Sequence, residues 1–204
     1  MVSLIKRQHD KMRNYGLFFD SFLDLHAIKP YKTISLIEIC ENAQLDKRTF
    51  YRYFDSKDDL LIKYVFFLGD RLVKVILDEP ELSNHAVIRL YFTLWREQLP
   101  FLNAMQRDGL FNILLSNLDI YFMRSLGDAG VPEPNSEVTP AETALYRNLF
   151  FGTALNQILI KWFTDGAIRT PEEIADIFFK PEEPNFLEAF SDKSKIRQLM
   201  ATGQ

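Results

Sequence analysis

The sequence predicts an all-α fold, and three features favour it. Apolar residues recur at three- and four-residue spacing in successive segments of the chain, which is the period of a single buried helix face. Residues that suit helix N-caps precede several of these segments, and proline or glycine closes them. Residues 35–61 combine both signals in two short helices, a tight turn and the start of a third helix.

The first short helix is predicted to begin after Ser35. The Ser35 side chain can accept a hydrogen bond from the helix backbone, and Glu38, three residues later, can reach back to the Ser35 amide. The turn follows at residues 43–45. Asp46 is then placed to cap a second helix, where its charge suits the positive end of the helix dipole. This order is typical of a helix-turn-helix.

The two faces of the second helix differ in chemistry. Phe50 and Phe54 lie four residues apart and are expected to point inward. The opposite face carries cationic and phenolic groups, which can bond phosphates and base edges in a DNA major groove, and these are Lys47, Arg48, Tyr51 and Arg52. The pattern predicts a DNA-binding face. The competing interpretation is the solvated side of an ordinary helical bundle.

A third helix is predicted to begin at once. Ser56 can cap it, with Asp59 as its capping-box partner. Lys57 stands in the first turn, where a cation opposes the helix dipole. A phosphate held jointly by the Lys57 ammonium and the amides of this helix start would explain that choice of residue.

The run T-F-Y-R-Y-F-D-S-K-D-D-L-L, residues 49–61, resembles the DNA-binding segment of the tetracycline-repressor (TetR) family of bacterial transcription regulators. The resemblance implies an all-helical homodimer in two parts. A three-helix helix-turn-helix domain, residues 1–64, precedes a larger helical domain for effector binding and dimerisation, residues 65–204. It also implies base contacts from Lys47 and Arg48, a mixed contact from Tyr53, and phosphate contacts from Ser35, Thr49, Tyr51 and Lys57.

The chain departs from the family pattern at two places. The family usually has glycine where this turn has Gln44, so the backbone there must adopt a conformation that is less easy for a residue with Cβ. Lys29 and Pro30 stand where the family usually has glycine before Tyr31, and Pro30 is expected to end the first long helix, residues 4–27.

Composition limits the class of protein. The net charge of −4 argues against a protein that coats nucleic acid without specificity. The charge is unevenly distributed, with a net charge of +2 on residues 1–64 and −6 on the remainder. The predicted helix-turn-helix therefore lies in the positive part of the chain. The single cysteine, Cys40, excludes an internal disulfide and is expected to be buried. The sequence contains no run of about 18 uncharged apolar residues, so no membrane span is predicted. No signal peptide is evident either, and we therefore expect a cytoplasmic protein.

Residues 56–78 are predicted to form one long helix whose inner side runs from Leu60 to Val75. Because it would join the DNA-binding end to the body, this helix is the expected carrier of an allosteric signal. Proline and glycine then separate three helices, residues 84–98, 101–107 and 110–126. Their large apolar side chains could line an effector pocket or fill a solid core, and the candidate pocket residues are Trp95, Phe101, Met105, Phe111, Tyr121 and Phe122.

Two further capped helices are predicted near the end of the chain, residues 140–164 and 171–179, after a polar loop at 127–138. They resemble the pair with which this family builds a four-helix dimer interface. The candidate interface residues are Tyr146, Phe150, Thr153, Gln157, Lys161 and Ile174. Residues 186–200 could form a final helix or fray.

The leading hypothesis is a repressor that binds a palindromic operator on double-stranded DNA as a homodimer and responds to a small-molecule effector. The alternative is a helical co-regulator or adaptor that has lost operator recognition and acts through protein contacts. An enzyme is not expected, because the three histidines show no metal-ligand spacing and no catalytic group can be assembled. We expect neither a cofactor nor a metal site.

Overall fold

The computed structural model confirms the all-α fold. It describes residues 2–80, 83–125 and 137–179, with side chains from residue 12 onward except at 122–125, 141, 144, 147 and 148. The described residues form nine α-helices and a one-turn 3₁₀ helix, Tyr31–Thr33. The α-helices are α1 Val2–Ile28, α2 Leu36–Asn42, α3 Lys47–Tyr51, α4 Lys57–Leu77, α5 Asn84–Glu97, α6 Leu99–Arg107, α7 Phe111–Ser125, α8 Pro140–Thr164 and α9 Pro171–Phe179.

An aromatic core holds α1 against the short helices. Phe18, Phe22, Phe50 and Phe54 are at most 1% exposed. The Phe18 ring meets the rings of Phe50 and Phe54 edge-on, with centroids 5.2 and 5.7 Å away. Edge-to-face pairs of this kind stabilise a core beyond the area they bury. The long first helix therefore lies across the helix-turn-helix, as its apolar spacing predicted.

Helix α4 runs from the helix-turn-helix into the rest of the protein. Its predicted inner side is buried from Leu60 to Leu72. The sequence predicted that Val75 also lies on this side. That prediction is wrong, because Val75 is 43% exposed and Ile76 packs against the core instead. The buried stripe continues four residues after Leu72 rather than three. The predicted domain boundary at residues 64–65 falls inside α4, within one continuous hydrophobic core, and stays a prediction.

Helix α5 lies at the centre of the remaining helices and packs closely along α9. Its residues Tyr91, Phe92 and Trp95 are at most 1% exposed. The Tyr91 hydroxyl donates to Asn156 Oδ1 of α8 at 2.8 Å, and Asn156 Nδ2 donates to Asp119 of α7 at 2.8 Å. Since buried polar groups are costly unless paired, this chain of bonds fixes three helices in one register.

Helices α4 and α7 meet at Gly69. A Cβ at this position would lie 2.5 Å from the Tyr121 ring, which is closer than packed atoms can approach. The Tyr121 hydroxyl also donates to the carboxylate of the neighbouring Asp70 at 2.9 Å. Glycine therefore permits a closer crossing of the two helices than any other residue would.

The helix ends follow the sequence signals closely. Thr139 and Glu142 form both bonds of a capping box at α8, and Thr170 and Glu173 form both at α9. Pro100 stands in the first turn of α6, so the predicted break lies just before it. Most of the predicted loop at 127–138 and all of 186–200 lie outside the described residues. Within the described part of the chain, no helix is both long and apolar enough to cross a membrane.

Candidate nucleic-acid interface

Helix α2 begins at the predicted capping box. The Glu38 N–H donates to Ser35 Oγ at 3.2 Å, and the Ser35 N–H donates to Glu38 Oε2 at 2.8 Å. The Lys29 ammonium pairs with the same carboxylate. The Lys29 contact, with the bonds from Ser35, lowers the pKa of Glu38 to about 2. The N-terminal end of α2 is thus held to the exit of α1.

The turn between α2 and α3 has the backbone conformation that the sequence predicted at Gln44, one that glycine adopts more easily than a residue with Cβ. Gln44 has φ +54°, in the left-handed region that side chains with Cβ rarely adopt. The Gln44 N–H donates to the Glu41 carbonyl at 3.1 Å, and the Leu45 N–H donates to the Cys40 carbonyl at 3.0 Å. These bonds close the end of α2 and set the direction in which the chain enters α3.

Helix α3 is fixed at its start and along its inner side. Asp46 Oδ1 accepts a hydrogen bond from the Thr49 N–H at 2.6 Å, which lowers the pKa of the Asp46 carboxyl. Phe50 is fully buried and Phe54, just beyond the helix, is 1% exposed. A helix of five residues is not stable alone, so these anchors hold it in place.

The outer side of α3 carries the predicted cationic and phenolic groups. Lys47, Arg48, Tyr51 and Arg52 are all exposed. Tyr51 is 59% exposed, and its ring lies edge-on to the buried Phe50 ring with centroids 5.7 Å apart. Two guanidinium groups, an ammonium and a phenol therefore project from a rigid support. Such a face can bond phosphate oxygens and the acceptor atoms of guanine.

Three other predicted contacts have structural tasks of their own. Ser35 is exposed, and its hydroxyl caps α2. Thr49 is half-buried, and its N–H is bonded to Asp46. The Tyr53 hydroxyl accepts a hydrogen bond from Asn14 Nδ2 at 3.2 Å, and its ring lies 5.2 Å from that of Tyr15. Contacts between these three residues and DNA stay predictions.

Of the two hydrogen bonds predicted for the capping box of α4, one is formed and the other has a different donor. The Asp59 N–H donates to Ser56 Oγ at 3.0 Å. The Asp59 carboxylate accepts from the Asp55 N–H at 2.9 Å, rather than from Ser56. The returning bond is therefore shifted back by one residue, and the cap still fixes the first turn of α4.

Lys57 has partners within the protein. Its ammonium donates to the carbonyls of Tyr31 and Ile34 at 2.6 and 2.7 Å and lies 4.3 Å from the centre of the Tyr31 ring. These contacts account for a cation in the first turn of α4 without requiring a phosphate. Because an ammonium has three protons, a phosphate contact through the third stays a prediction.

A contact that the sequence did not predict joins α6 to the end of α1. The Arg107 guanidinium donates to the carbonyls of His26 and Lys29 at 2.7 and 2.8 Å. The Asp108 carboxylate accepts from the Tyr31 N–H at 2.8 Å and lies 2.9 Å from His26 Nε2. The hydrogen bond from the Arg107 guanidinium is the main cause that holds the pKa of Asp108 well below its usual range, and the bonds with the Tyr31 N–H and His26 lower this pKa further. These partners are about 80 residues apart in the chain, so no local pattern indicated them.

The predicted pocket residues are mostly core. Trp95, Phe101 and Met105 are at most 4% exposed, and Tyr121 is 8% exposed. The Phe111 ring lies 5.3 Å from that of Phe163. Phe101 alone of this set lines the cavity of about 160 Å³ at the α1–α6 contact. The side chain of Phe122 lies outside the described residues.

Two buried polar atoms have no hydrogen-bond partner among the described residues, Trp95 Nε1 and His26 Nδ1. Trp95 is 1% exposed, beside the Tyr91 and Asn156 bond. His26 is 1% exposed and lines the cavity at the α1–α6 contact. Both atoms could bond a polar group of a bound molecule.

The predicted dimer residues of α8 share one face. Tyr146 and Phe150 are 65% and 56% exposed, and Thr153, Gln157 and Lys161 continue the same exposed side at helical spacing. Two large aromatic residues on a solvent-facing stripe are uncommon unless the stripe is covered. Ile174, placed in the same interface from the sequence, is instead 6% exposed and packs in the protomer core, because α9 turns that side toward α5.

Comparison with known proteins finds a match for the helix-turn-helix segment and a likeness of fold. Residues 23–64 match the family model described as bacterial regulatory proteins, tetR family. No curated protein matches the chain. The fold is similar to the crystal structure of a Syntrophomonas wolfei protein described as a TetR-family transcriptional regulator, with a TM-score of 0.53 and 19% identity over 82% of this chain and 91% of that one.

Two further solved structures match more weakly. The dihydroxyacetone kinase operon activator DhaS has a TM-score of 0.48 and 15% identity, over 93% of this chain and 95% of its own. The fatty acid degradation regulator FadR from Bacillus halodurans has a TM-score of 0.45 and 16% identity, over 80% and 91%. We draw the likeness of fold from the first comparison alone.

Proposed function

We propose that this chain is a TetR-family transcription regulator, a repressor that binds a palindromic operator as a homodimer, and the match of residues 23–64 to the tetR family model supports the proposal. The observation that carries the proposal is the exposed face of α3. Lys47, Arg48, Tyr51 and Arg52 project from a helix whose other side is fixed by two buried phenylalanines. A rigid support lowers the entropy lost when long side chains bind a groove.

Within this interface each residue type has a distinct task. Lys47 and Arg48 lie in the first turn of α3 and read base edges, since the N-terminal residues of a recognition helix contact the bases. Tyr51, Ser35 and Thr49 bond phosphates, and these contacts position the protein without specifying sequence. Tyr53 packs against Tyr15, so we assign it to support of the interface rather than to base recognition.

The exposed stripe on α8 supports the homodimer. Its aromatic residues Tyr146 and Phe150 meet their copies about a two-fold axis, which covers apolar surface in both chains. Two recognition helices are then presented to adjacent major grooves, whose separation is about 34–36 Å. Pairing across a two-fold axis is what makes the operator palindromic.

A small-molecule effector binds among α5, α7 and α8 in this proposal. The buried Trp95 Nε1 would donate to an acceptor on the effector, beside the hydrogen bond between Tyr91 and Asn156. Binding tilts α4, which begins at the helix-turn-helix and packs on both α5 and α7. A tilt changes the spacing of the two recognition helices and so changes operator affinity.

The proposal is tested by selecting binding sites from random duplex DNA and titrating the selected duplex at fixed salt. We expect a palindrome with half-sites one helical turn apart, or a multiple of it. Arg48→Ala should cost about 1–3 kcal/mol of binding free energy, while Lys74→Ala, an exposed lysine near the far end of α4, should leave affinity unchanged. Equal affinities for wild type and Arg48→Ala would refute the assignment.

The salt dependence of binding separates this function from an adaptor that acts through protein contacts. Release of counterions from phosphates makes the logarithm of affinity fall linearly with the logarithm of salt concentration. We expect such a slope for the wild type and a shallower slope for Arg52→Ala, which removes one cation from the exposed face of α3. An adaptor would select no sequence from the pool and show no such slope.

A further inference from the structure

We infer that His85, Glu172 and Asp176 form a binding site for one divalent transition-metal ion, with Zn²⁺ as the test ion. His85 lies at the start of α5, and the two acidic residues lie four positions apart on α9, hence on one face of that helix. His85 Nε2 is 3.0 Å from Asp176 Oδ1 and 3.7 Å from Glu172 Oε1. One candidate donor atom from each of the three residues lies within 4.8 Å of the others.

These separations fit the coordination sphere of such an ion. Zinc binds imidazole nitrogen and carboxylate oxygen at about 2.0–2.2 Å, so two ligands of one tetrahedral ion lie roughly 3.3 Å apart. The two distances from His85 stand on either side of that value. One imidazole and two carboxylates suit Zn²⁺, Co²⁺ or Ni²⁺, and the absence of a thiolate argues against Cu⁺. Three protein ligands leave a coordination position for water.

A neighbouring arginine lies beside one of the ligands. Arg89 Nε lies 3.7 Å from Glu172 Oε2, the oxygen that does not face His85, and Arg89 also pairs with Glu79 at 3.1 Å. The arginine thereby leaves Glu172 Oε1 directed toward His85. Contacts of this kind, made to the ligands rather than to the ion, fix ligand geometry and strengthen metal binding.

The site is open to an ion from solvent. The side chains of His85, Asp176 and Glu172 are 27%, 47% and 61% exposed. The ligands come from two helices that pack along each other, so a bound ion would tie α9 to α5. It would stabilise the folded protein by a free energy that rises with the logarithm of its concentration relative to its dissociation constant. The inference does not depend on the proposed operator or effector.

The test is calorimetric titration of the full, tag-free and chelator-treated chain with ZnCl₂, followed by thermal melts with and without the ion. We expect one ion per chain and a higher melting midpoint. His85→Gln and Asp176→Asn should each weaken binding by roughly tenfold or more. The matched control is Glu41→Gln, which removes an exposed carboxylate from α2 and should leave the titration unchanged.

Co²⁺ absorption provides a reading that is independent of stability. Visible bands should appear on adding Co²⁺ to wild type and Glu41→Gln, and should be lost in His85→Gln. No binding by the wild type, or equal stoichiometry and affinity in His85→Gln, would overturn the inference and leave a hydrogen-bonded cluster without an ion.

Discussion

The carboxylate of Asp108 accepts a hydrogen bond of 2.8 Å from the backbone N–H of Tyr31. Asp108 follows the last residue of α6, and Tyr31 opens the 3₁₀ turn that leads into α2. The bond therefore ties the helices behind the helix-turn-helix directly to the segment before it. A movement of α6 would reach the helix-turn-helix by this route as well as along α4.

Removal of this carboxylate should destabilise the protein strongly. Asp108→Ala leaves the Tyr31 N–H and His26 Nε2 without their partner, and hydrogen bonds to charged groups contribute about 1.5–3 kcal/mol each. We expect a loss of at least about 3 kcal/mol in the free energy of unfolding, measured by urea denaturation. The control Glu97→Ala removes an exposed partner of Arg71 and should cost under about 1 kcal/mol.

Asp108 should also make stability depend on acidity. Its pKa in the folded state lies below the ordinary value of 3.8, so its contribution is present above that value and is lost as the pH falls toward the folded pKa. Urea denaturation from pH 5 to pH 3 should show a smaller loss for Asp108→Asn than for the wild type. Burial lowers the pKa of His26 and Asp108 partly offsets this, so both proteins are compared in a His26→Gln background, in which residue 26 does not titrate. Equal slopes would contradict the assignment.

The turn at Gln44 should tolerate glycine better than glutamine. With φ +54°, glutamine is strained there, whereas glycine adopts this conformation freely. Gln44→Gly is expected to raise the free energy of unfolding by about 0.5–1 kcal/mol. Ala43→Gly is the matched control of opposite sign, since Ala43 has φ −73° and is buried. A destabilised Gln44→Gly would show that the glutamine side chain contributes more than its backbone costs.

A charge on the α8 stripe should separate the proposed dimer. Phe150→Glu would bury a carboxylate against its own copy about the two-fold axis, and we expect sedimentation velocity to shift from dimer to monomer. Ile37→Glu places the same charge at a 49% exposed position on α2 and should leave the dimer intact. Circular dichroism should be unchanged in both. A dimer that persists in Phe150→Glu would place the interface elsewhere.

Local signals were sufficient for the helices and for the exposure of the cationic side chains on α3. Capping oxygens at Ser35, Asp46 and Thr139 act within four residues of their own position, so the sequence alone indicates them. The strained turn at Gln44 was predictable for the same reason, because the requirement for positive φ is a property of the turn itself.

Contacts between distant segments could not be predicted in this way. Asp108 meets Tyr31 across 77 residues, and Lys57 meets Tyr31 and Ile34 through tertiary packing. The burial of Ile174 within the protomer could not be predicted for a similar reason, since α9 has isoleucines three residues apart. Ile174 faces the core and Ile177 is 58% exposed, and helical spacing alone does not say which side packs on α5.

The hydrogen atom that serves as the side chain of Gly69 limits which sequences this architecture accepts. Even alanine there would bring its methyl group to 2.5 Å from the Tyr121 ring, so α7 would have to move away from α4 or Tyr121 would have to change as well. A genetic selection for functional protein from a library randomised at codon 69 should return glycine. A library randomised at codons 69 and 121 together should yield larger residues at position 69 only where position 121 carries a smaller residue than tyrosine.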